Sequence, residues 1–118
     1  MYEYAAKVLR VIDGDTVELE IDLGFSILHR LSVRLKWIDA PELFSGTIET
    51  RKLGLAAKIF LESLLPLDGV LIARTTKDRA DKYGRILVEL FTDREARTLN
   101  SQMIDAGHAV PYDGGKRS

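Results

Sequence analysis

Apolar and polar residues alternate strictly along two stretches in the first third of the chain. In residues 17–22 each valine, leucine or isoleucine is followed by an acidic residue, and in residues 31–37 apolar side chains alternate with serine, arginine and lysine. Such alternation predicts strands with one face in a core and the other in water. The phase of the second stretch assigns Trp37 to the core and directs Arg34 away from it.

A different period follows, in which apolar residues recur every three or four positions. This spacing runs from Leu53 to Leu64 and predicts a helix with one apolar stripe, ending just before Pro66. A second, short helix is predicted over residues 98–106, because its first threonine can cap it and Gly107 suits a left-handed stop.

Three further strands complete the predicted fold, at residues 4–12, 70–75 and 85–91. Five short antiparallel strands, with one helix between the third and fourth and a short C-terminal helix, are typical of an α+β fold built on an OB-type barrel. A length of 118 residues allows one domain, residues 1–118, with one core. Residues 111–118 are rich in turn-forming types and predict a flexible tail.

Composition narrows the chemistry that this domain can perform. The chain has no cysteine and only two histidines, which excludes thiolate chemistry and most histidine-based metal centres. A metal site would therefore need oxygen ligands, which favour Ca²⁺ or Mg²⁺. The net charge of −1 argues against a broad basic coat but allows a local basic cleft.

The expected location of the protein rests on two features that the sequence pattern does not show. No apolar run is long enough to span a bilayer, so we expect no membrane association. The N-terminus lacks the basic and apolar segments of a secretory signal, so we expect a cytoplasmic protein, with a mature secreted form left open.

Acidic residues cluster at the predicted ends of neighbouring strands. Asp13 and Asp15 flank the turn between the first two strands, where Asp13 can shape the turn while Asp15 opens the next strand. Asp39 and Glu42 follow the third strand. Carboxylates crowded in this way repel one another unless a cation offsets their charge. The spacing therefore predicts a cation site that uses Asp15 and Asp39, near Glu42.

Two arginines in the predicted strands project from the face that is not in the core. Arg34 lies in the third strand, five residues before Asp39, and Arg85 begins the fifth strand, facing away from Ile86. A guanidinium group presents a planar fork of donors that matches phosphate oxygens. Taken singly, either arginine is typical of a solvated surface, and only their combination with the acids favours a phosphate site.

Four sequence strings, in order and at compatible spacing, resemble the staphylococcal nuclease (thermonuclease) family. The resemblance extends from about Lys7 to Tyr112. The strings are Ile12-Asp13-Gly14-Asp15-Thr16-Val17, Val33-Arg34-Leu35, Ile38-Asp39-Ala40-Pro41-Glu42 and Asp81-Lys82-Tyr83-Gly84-Arg85.

This resemblance implies a Ca²⁺-dependent endonuclease that cleaves DNA and RNA with little sequence preference and leaves 3′-phosphates. It implies that Asp15 and Asp39 bind calcium through carboxylates and Ala40 through its carbonyl. Glu42 would position or deprotonate the attacking water.

The same resemblance assigns the residues that contact the substrate. Arg34 and Arg85 would hold the phosphate and neutralise transition-state charge, while Lys82, Tyr83 and Tyr112 would contact the substrate. The expected partners are single-stranded or locally melted DNA and RNA, bound by a monomer. Two alternatives stay open: a non-catalytic OB-type module that binds nucleic acid or protein, and a calcium-stabilised domain of another role.

Overall fold

A computed structural model describes residues 2–80 and 84–112, with residues 76–80 described as backbone. The elements in chain order are β1 (Tyr2–Asp13), β2 (Thr16–Asp22), β3 (Leu28–Leu35), β4 (Ile38–Asp39), α1 (Ile48–Ser63), β5 (Val70–Ala80), β6 (Ile86–Phe91), α2 (Leu99–Asp105) and β7 (Val110–Pro111).

Five strands close into a barrel in the order β1-β2-β3-β6-β5, which confirms the predicted OB-type α+β fold. Four neighbouring pairs are antiparallel, and β3 and β6 pair in parallel. The prediction that all five strands pair antiparallel was therefore wrong for the β3–β6 pair. The reason is geometric: directions alternate around an antiparallel ring, and an odd number of strands forces one parallel pair.

The barrel interior contains the apolar residues that the alternating pattern assigned to it. Val17, Leu19 and Ile21 of β2 and Val33 and Leu35 of β3 are all buried. Helix α1 and helix α2 close the core with buried side chains of their own. Burial of this apolar surface is the main favourable contribution to folding.

The third strand ends earlier than its pattern predicts. β3 stops at Leu35, and Trp37 lies in a turn with a positive φ of 72° and 49% of its surface exposed. The prediction of a core tryptophan is therefore wrong. Hydrogen bonds end the strand, because the Lys36 N–H donates to the Val88 carbonyl and the Asn100 side-chain amide donates to the Lys36 carbonyl.

The chain then continues into a small second sheet, in which β4 pairs with β7. Ile38 pairs with Pro111, and the Tyr112 N–H donates to the Trp37 carbonyl at 2.8 Å. Residues 111 and 112 are thus part of the fold, although the sequence pattern placed residue 111 onward in a tail. Residues 113–118 lie outside the described residues.

Helix α1 buries small residues where a larger apolar stripe was expected. Its buried positions are Gly54, Ala57 and Leu61, whereas Leu53 is 61% exposed, so the expected stripe was wrong at Leu53. Thr47 caps the helix by accepting a hydrogen bond from the Thr50 N–H. The small side chains let the helix lie close to the segment that follows β4.

Helix α2 begins and ends as predicted. The Thr98 hydroxyl accepts a hydrogen bond from the Ser101 N–H, and Gly107 has a φ of 79° after the last turn. Met103 of this helix is buried in the core. Over the described part of the chain, neither helix combines the length and apolar character that crossing a membrane requires.

Candidate active site

A polar pocket of about 420 Å³ opens where the β1–β2 turn, the segment after β4 and the residue before β6 meet. It contains five of the predicted site residues, whereas the predicted metal ligand Asp39 is not part of its lining and contacts the site through Arg34. The pocket is lined by Asp13, Asp15, Thr16, Arg34, Ala40, Pro41, Glu42 and Arg85.

The β1–β2 turn has the shape that its Asp-Gly pair predicts. Asp13 and Thr16 pair across it, and the Asp13 carboxylate accepts a hydrogen bond from the Asp15 N–H at 3.0 Å. Gly14 is required for packing, because a Cβ there would lie 2.7 Å from the Cβ of Ala57 and 2.8 Å from the Cβ of Ala40. The turn is therefore held against helix α1 and against the residues after β4.

Asp15 is buried, with only 5% of its surface exposed, and its carboxylate joins two elements. One oxygen, Oδ1, accepts a hydrogen bond from the Thr16 hydroxyl at 3.0 Å, and Oδ2 accepts one from the Ala40 N–H at 2.9 Å. Asp15 thus fixes the chain after β4 against the start of β2. An ionised carboxylate so deeply buried requires donors of this kind and a nearby positive charge.

Arg34 supplies that charge and bridges both aspartates. Its guanidinium lies 3.3 Å from Asp15 Oδ2 and 3.1 Å from Asp39 Oδ1, and it also donates to the Ile38 carbonyl at 3.1 Å. The arginine side chain is 13% exposed, so the three-residue cluster is shielded from water. The repulsion that the sequence assigned to a bound cation is therefore offset in part by Arg34 itself.

Arg85 reaches the same cluster through a hydroxyl group. Its guanidinium donates to Thr16 Oγ1 at 3.3 Å, and this hydroxyl in turn donates to Asp15. Thr16 was not among the predicted site residues; it is buried and pairs with Arg34 across β2 and β3. The signal available in the sequence was a threonine directly after an aspartate at the start of a predicted strand. A threonine is equally suited to an ordinary strand position, so this signal did not stand out.

Glu42 has an exposed side chain at the edge of the pocket. Its backbone is tightly constrained, because a Cβ on Gly54 would lie only 2.5 Å from the Glu42 carbonyl oxygen. Helix α1 thus supports the backbone of Glu42, and the carboxylate remains accessible to water and substrate. No pattern in the sequence indicates this role of Gly54.

Asp13 is the second acid that the sequence assigned only to the turn, and the structure adds it to the pocket. Burial raises the pKa of Asp13 from 3.8 to about 6, and the side-chain interaction and charge repulsion with the Asp15 carboxyl group act in the same direction. The hydrogen bonds from the Asp15 N–H and from Thr16 act in the opposite direction but do not outweigh them. The two neighbouring carboxyl groups therefore differ in role: Asp15 makes the charged contacts, and Asp13 takes up a proton below about pH 6.

Of the three predicted substrate-contacting residues, Tyr112 lies beside the site. The Arg34 guanidinium lies over its ring, 5.5 Å from the ring centroid, which is cation–π distance. Lys82 and Tyr83 lie outside the described residues.

The oxygen atoms of Asp15 and Asp39 are the donors of this site that a hard cation could use. Asp15 and Asp39 direct carboxylate oxygens to one shared guanidinium, so both can reach one positive charge. Within residues 2–80 and 84–112, no group of three or more histidine, cysteine, aspartate or glutamate side chains could hold a metal ion. Asp15 and Asp39 offer the carboxylate oxygens that a hard cation prefers, and its other ligands would have to be backbone carbonyl, water or substrate oxygens.

The barrel, the acids and the arginines together define an OB-type domain with a charged pocket, and comparison with known proteins identifies its family. The chain belongs to the staphylococcal nuclease homologue family, whose model matches residues 32–117. The match includes Arg34, Asp39, Glu42 and Arg85, and Asp15 lies before it.

Three relatives illustrate the breadth of the similarity. An uncharacterized protein of Bacillus anthracis is 32% identical over 104 residues, which is 88% of this chain and 45% of that protein. Endonuclease YhcR of Bacillus subtilis is 26% identical over 93% of this chain and 9% of its own length. An uncharacterized endonuclease of Escherichia coli is 30% identical over 91% of this chain and 60% of its own length. The chain thus spans less than two thirds of each of these relatives.

Proposed function

We propose that this chain is a calcium-dependent endonuclease that hydrolyses phosphodiester bonds in DNA and RNA with little sequence preference. The observation that supports this most strongly is the pocket itself, which is lined by the guanidiniums of Arg34 and Arg85 and by the exposed carboxylate of Glu42. Arg34 in turn pairs with Asp15 and Asp39. Membership of a nuclease family and the two relatives named as endonucleases agree with the proposal.

Different residues of the pocket bind the phosphate and accept the proton of the attacking water. Arg34 and Arg85 bind phosphate oxygens and offset the negative charge that grows on them in the transition state. Glu42 accepts the proton of the attacking water, because its carboxylate is exposed at the pocket edge. The water oxygen bonds to phosphorus as the bond to the 5′ oxygen breaks, which leaves the phosphate on the 3′ side.

Asp15, Asp39 and the Ala40 carbonyl would hold Ca²⁺, as the family resemblance implies. When bound, the cation supplies further positive charge to a phosphate oxygen. Lys82, Tyr83 and Tyr112 are assigned to the substrate by the same resemblance. The near-neutral net charge favours single-stranded or locally melted substrates held in a local cleft, and we expect a monomer to suffice because the pocket is built from one chain.

The first experiment measures cleavage of single-stranded DNA and RNA by the full chain, in Ca²⁺ or with a chelator. We expect cleavage only with Ca²⁺. Arg85→Ala should lower kcat by about 100- to 1,000-fold, and Asp39→Ala should abolish the calcium response. Arg94→Ala, an exposed arginine at the barrel surface, is the matched control and should retain full activity.

Glu42→Gln separates catalysis from binding. Loss of the proton acceptor should lower kcat by about 100-fold or more while substrate affinity changes little, and Glu95→Gln serves as the exposed control. If the unmutated chain shows no calcium-dependent cleavage, the proposal is wrong. Binding of nucleic acid without any cleavage would instead favour the non-catalytic module.

A further inference from the structure

Trp37 lies at the surface in a turn whose backbone conformation is unusual for a bulky residue. The residue has a positive φ of 72°, which bulky side chains rarely adopt, and its side chain is half-exposed. A buried position was available to an alternating strand, so the turn exposes an aromatic ring at a cost in backbone strain. Strain of this kind persists only where surrounding structure fixes it, and it is often found at binding sites.

Hydrogen bonds on both sides of the turn hold the ring in place. The Trp37 carbonyl accepts from the Tyr112 N–H, and the preceding Lys36 is held at both its N–H and its carbonyl. The Asn100 side chain that donates to the Lys36 carbonyl is buried. It also donates to the Val88 carbonyl and accepts from the Leu90 N–H, both in β6. The indole therefore projects from a rigid base, which limits the entropy lost when a ligand stacks on it.

Cations and aromatic rings alternate from this turn to the pocket. The Lys36 ammonium lies 4.6 Å from the centroid of the Trp37 ring, and the Arg34 guanidinium lies over the ring of Tyr112. Arg34 also contacts the carbonyl of Ile38, the residue after the tryptophan. A half-exposed indole with an ammonium over its ring, next in sequence to a residue that contacts Arg34 of the pocket, has the chemistry that binds unpaired bases.

We propose that Trp37 is a base-stacking platform for an unpaired nucleotide next to the phosphate that the pocket holds. The inference rests on the proposed function, since it assumes that the pocket binds nucleic acid. A base stacks on the face of the indole that Lys36 does not cover, and the ammonium attracts the adjoining phosphate. The ligand is thus single-stranded nucleic acid, because a paired base in a duplex does not offer its face.

The chain contains a single tryptophan, so its fluorescence reports this ring alone. The full chain carrying Glu42→Gln, in Ca²⁺, is titrated with a short single-stranded deoxyoligonucleotide, with the same sequence as a duplex, and with an abasic strand of equal length. We expect quenching by the single strand and little change with the duplex or the abasic strand.

The affinity of each variant for a labelled single strand is then measured by fluorescence anisotropy. The test variant and its control both replace an exposed aromatic residue at a positive φ by glycine. Trp37→Gly removes the ring and relieves the positive φ, so the fold is kept. It should weaken single-strand binding by about 5- to 100-fold, whereas Trp37→Phe should restore most of it. Phe25→Gly is the control, because Phe25 is 97% exposed at a positive φ of 55° far along the β2–β3 hairpin, and it should bind as the parent does.

Each outcome either supports or overturns the assignment. Equal single-strand affinity of Trp37→Gly and its parent would overturn it while leaving the proposed nuclease intact. An equal loss for the abasic strand would also overturn it, because the ring would then act through charge or structure. If the parent binds no strand at all, the proposed function fails together with the platform.

Discussion

Charge balance around Asp15 decides what its neighbours can do. Its carboxylate is buried and receives the Thr16 hydroxyl, the Ala40 N–H and the Arg34 guanidinium. Removing one partner of a buried pair typically costs about 3–5 kcal/mol, because the other charge is left uncompensated. The net contribution of the whole cluster to stability is smaller, since each charge was also taken out of water. Its main consequence is that the acids of the site are held in one arrangement.

Asp13 makes the folding stability of the protein depend on pH. Folding raises the pKa of Asp13 to about 6, so the folded protein binds a proton that the unfolded chain releases above about pH 4. The contribution of Asp13 to stability is therefore complete below pH 3.8 and is lost as the pH rises towards 6.

Asp13→Asn keeps the oxygen that accepts from the Asp15 N–H but cannot ionise. The variant should gain about 1–2 kcal/mol over the parent between pH 4 and pH 7, a figure reduced for solvent screening. The check is urea unfolding at several pH values with a chelator present, because a cation beside Asp15 would lower the pKa of Asp13. A difference that stays constant with pH would contradict the raised pKa.

Among the elements, helix α1 acts as the support for two loops. Gly14 of the β1–β2 turn packs on Ala57, and Gly54 of the helix packs on the backbone of Glu42. These two close approaches place the acids at their positions around the pocket. Neither glycine bears a functional group, and each contributes only by lacking a side chain.

Gly54→Ala tests this support. Alanine favours a helix by about 1 kcal/mol over glycine, but its Cβ would lie 2.5 Å from a backbone oxygen that has little room to move. The steric cost should exceed the gain, so we expect a net loss of about 1–3 kcal/mol and reduced cleavage as Glu42 shifts.

Leu53→Ala, at the exposed neighbouring position, is the control and should change stability by less than about 0.5 kcal/mol. Thermal unfolding and kcat of both variants provide the measurement. A Gly54→Ala protein that is more stable and fully active would show that the contact with Glu42 does not position it.

The sequence pattern predicted correctly the strands whose two faces keep the same surroundings along their length. β2 and most of β3 alternate because one face is buried along their whole length, and this was confirmed. Trp37 was misassigned because the strand is ended by Asn100, 64 residues away from the carbonyl it binds. Leu53 was misassigned because the close packing at Gly54 rotates the buried face of the helix. Local periodicity contains neither of these long-range contacts.

The site was predictable to a similar extent. Residue types and spacing singled out Asp15, Glu42 and the two arginines, which line the pocket, and Asp39, which pairs with Arg34 beside it. Their roles came from the resemblance, and Asp13 had been assigned only to the turn. Spacing could not show that Arg34 lies between Asp15 and Asp39, since the turn after Leu35 takes the second acid off the strand that carries the arginine. Thr16 was missed because its hydroxyl gains a role only when Arg85 arrives from a distant strand.

At the scale of the whole molecule, the pocket depends on closure of the barrel. Its residues come from the β1–β2 turn, from β3 and the segment after β4, and from the residue before β6, and the parallel β3–β6 pair joins the last two. A ligand that binds all three segments binds the folded state and not the unfolded chain. Such a ligand must raise the free energy of unfolding, by an amount set by its concentration and dissociation constant.

Calcium and Arg34 should therefore compete, because both draw on the carboxylates of Asp15 and Asp39. Arg34→Met should lower the melting temperature in chelator, and Ca²⁺ should raise it more in this variant than in the parent. At 100 times the dissociation constant the gain is about 2.7 kcal/mol. Arg30→Met, which removes an exposed pair with Glu20, is the control and should respond to Ca²⁺ as the parent does. Equal calcium shifts in the parent and Arg34→Met would exclude competition, and no shift in any variant would exclude calcium at these carboxylates.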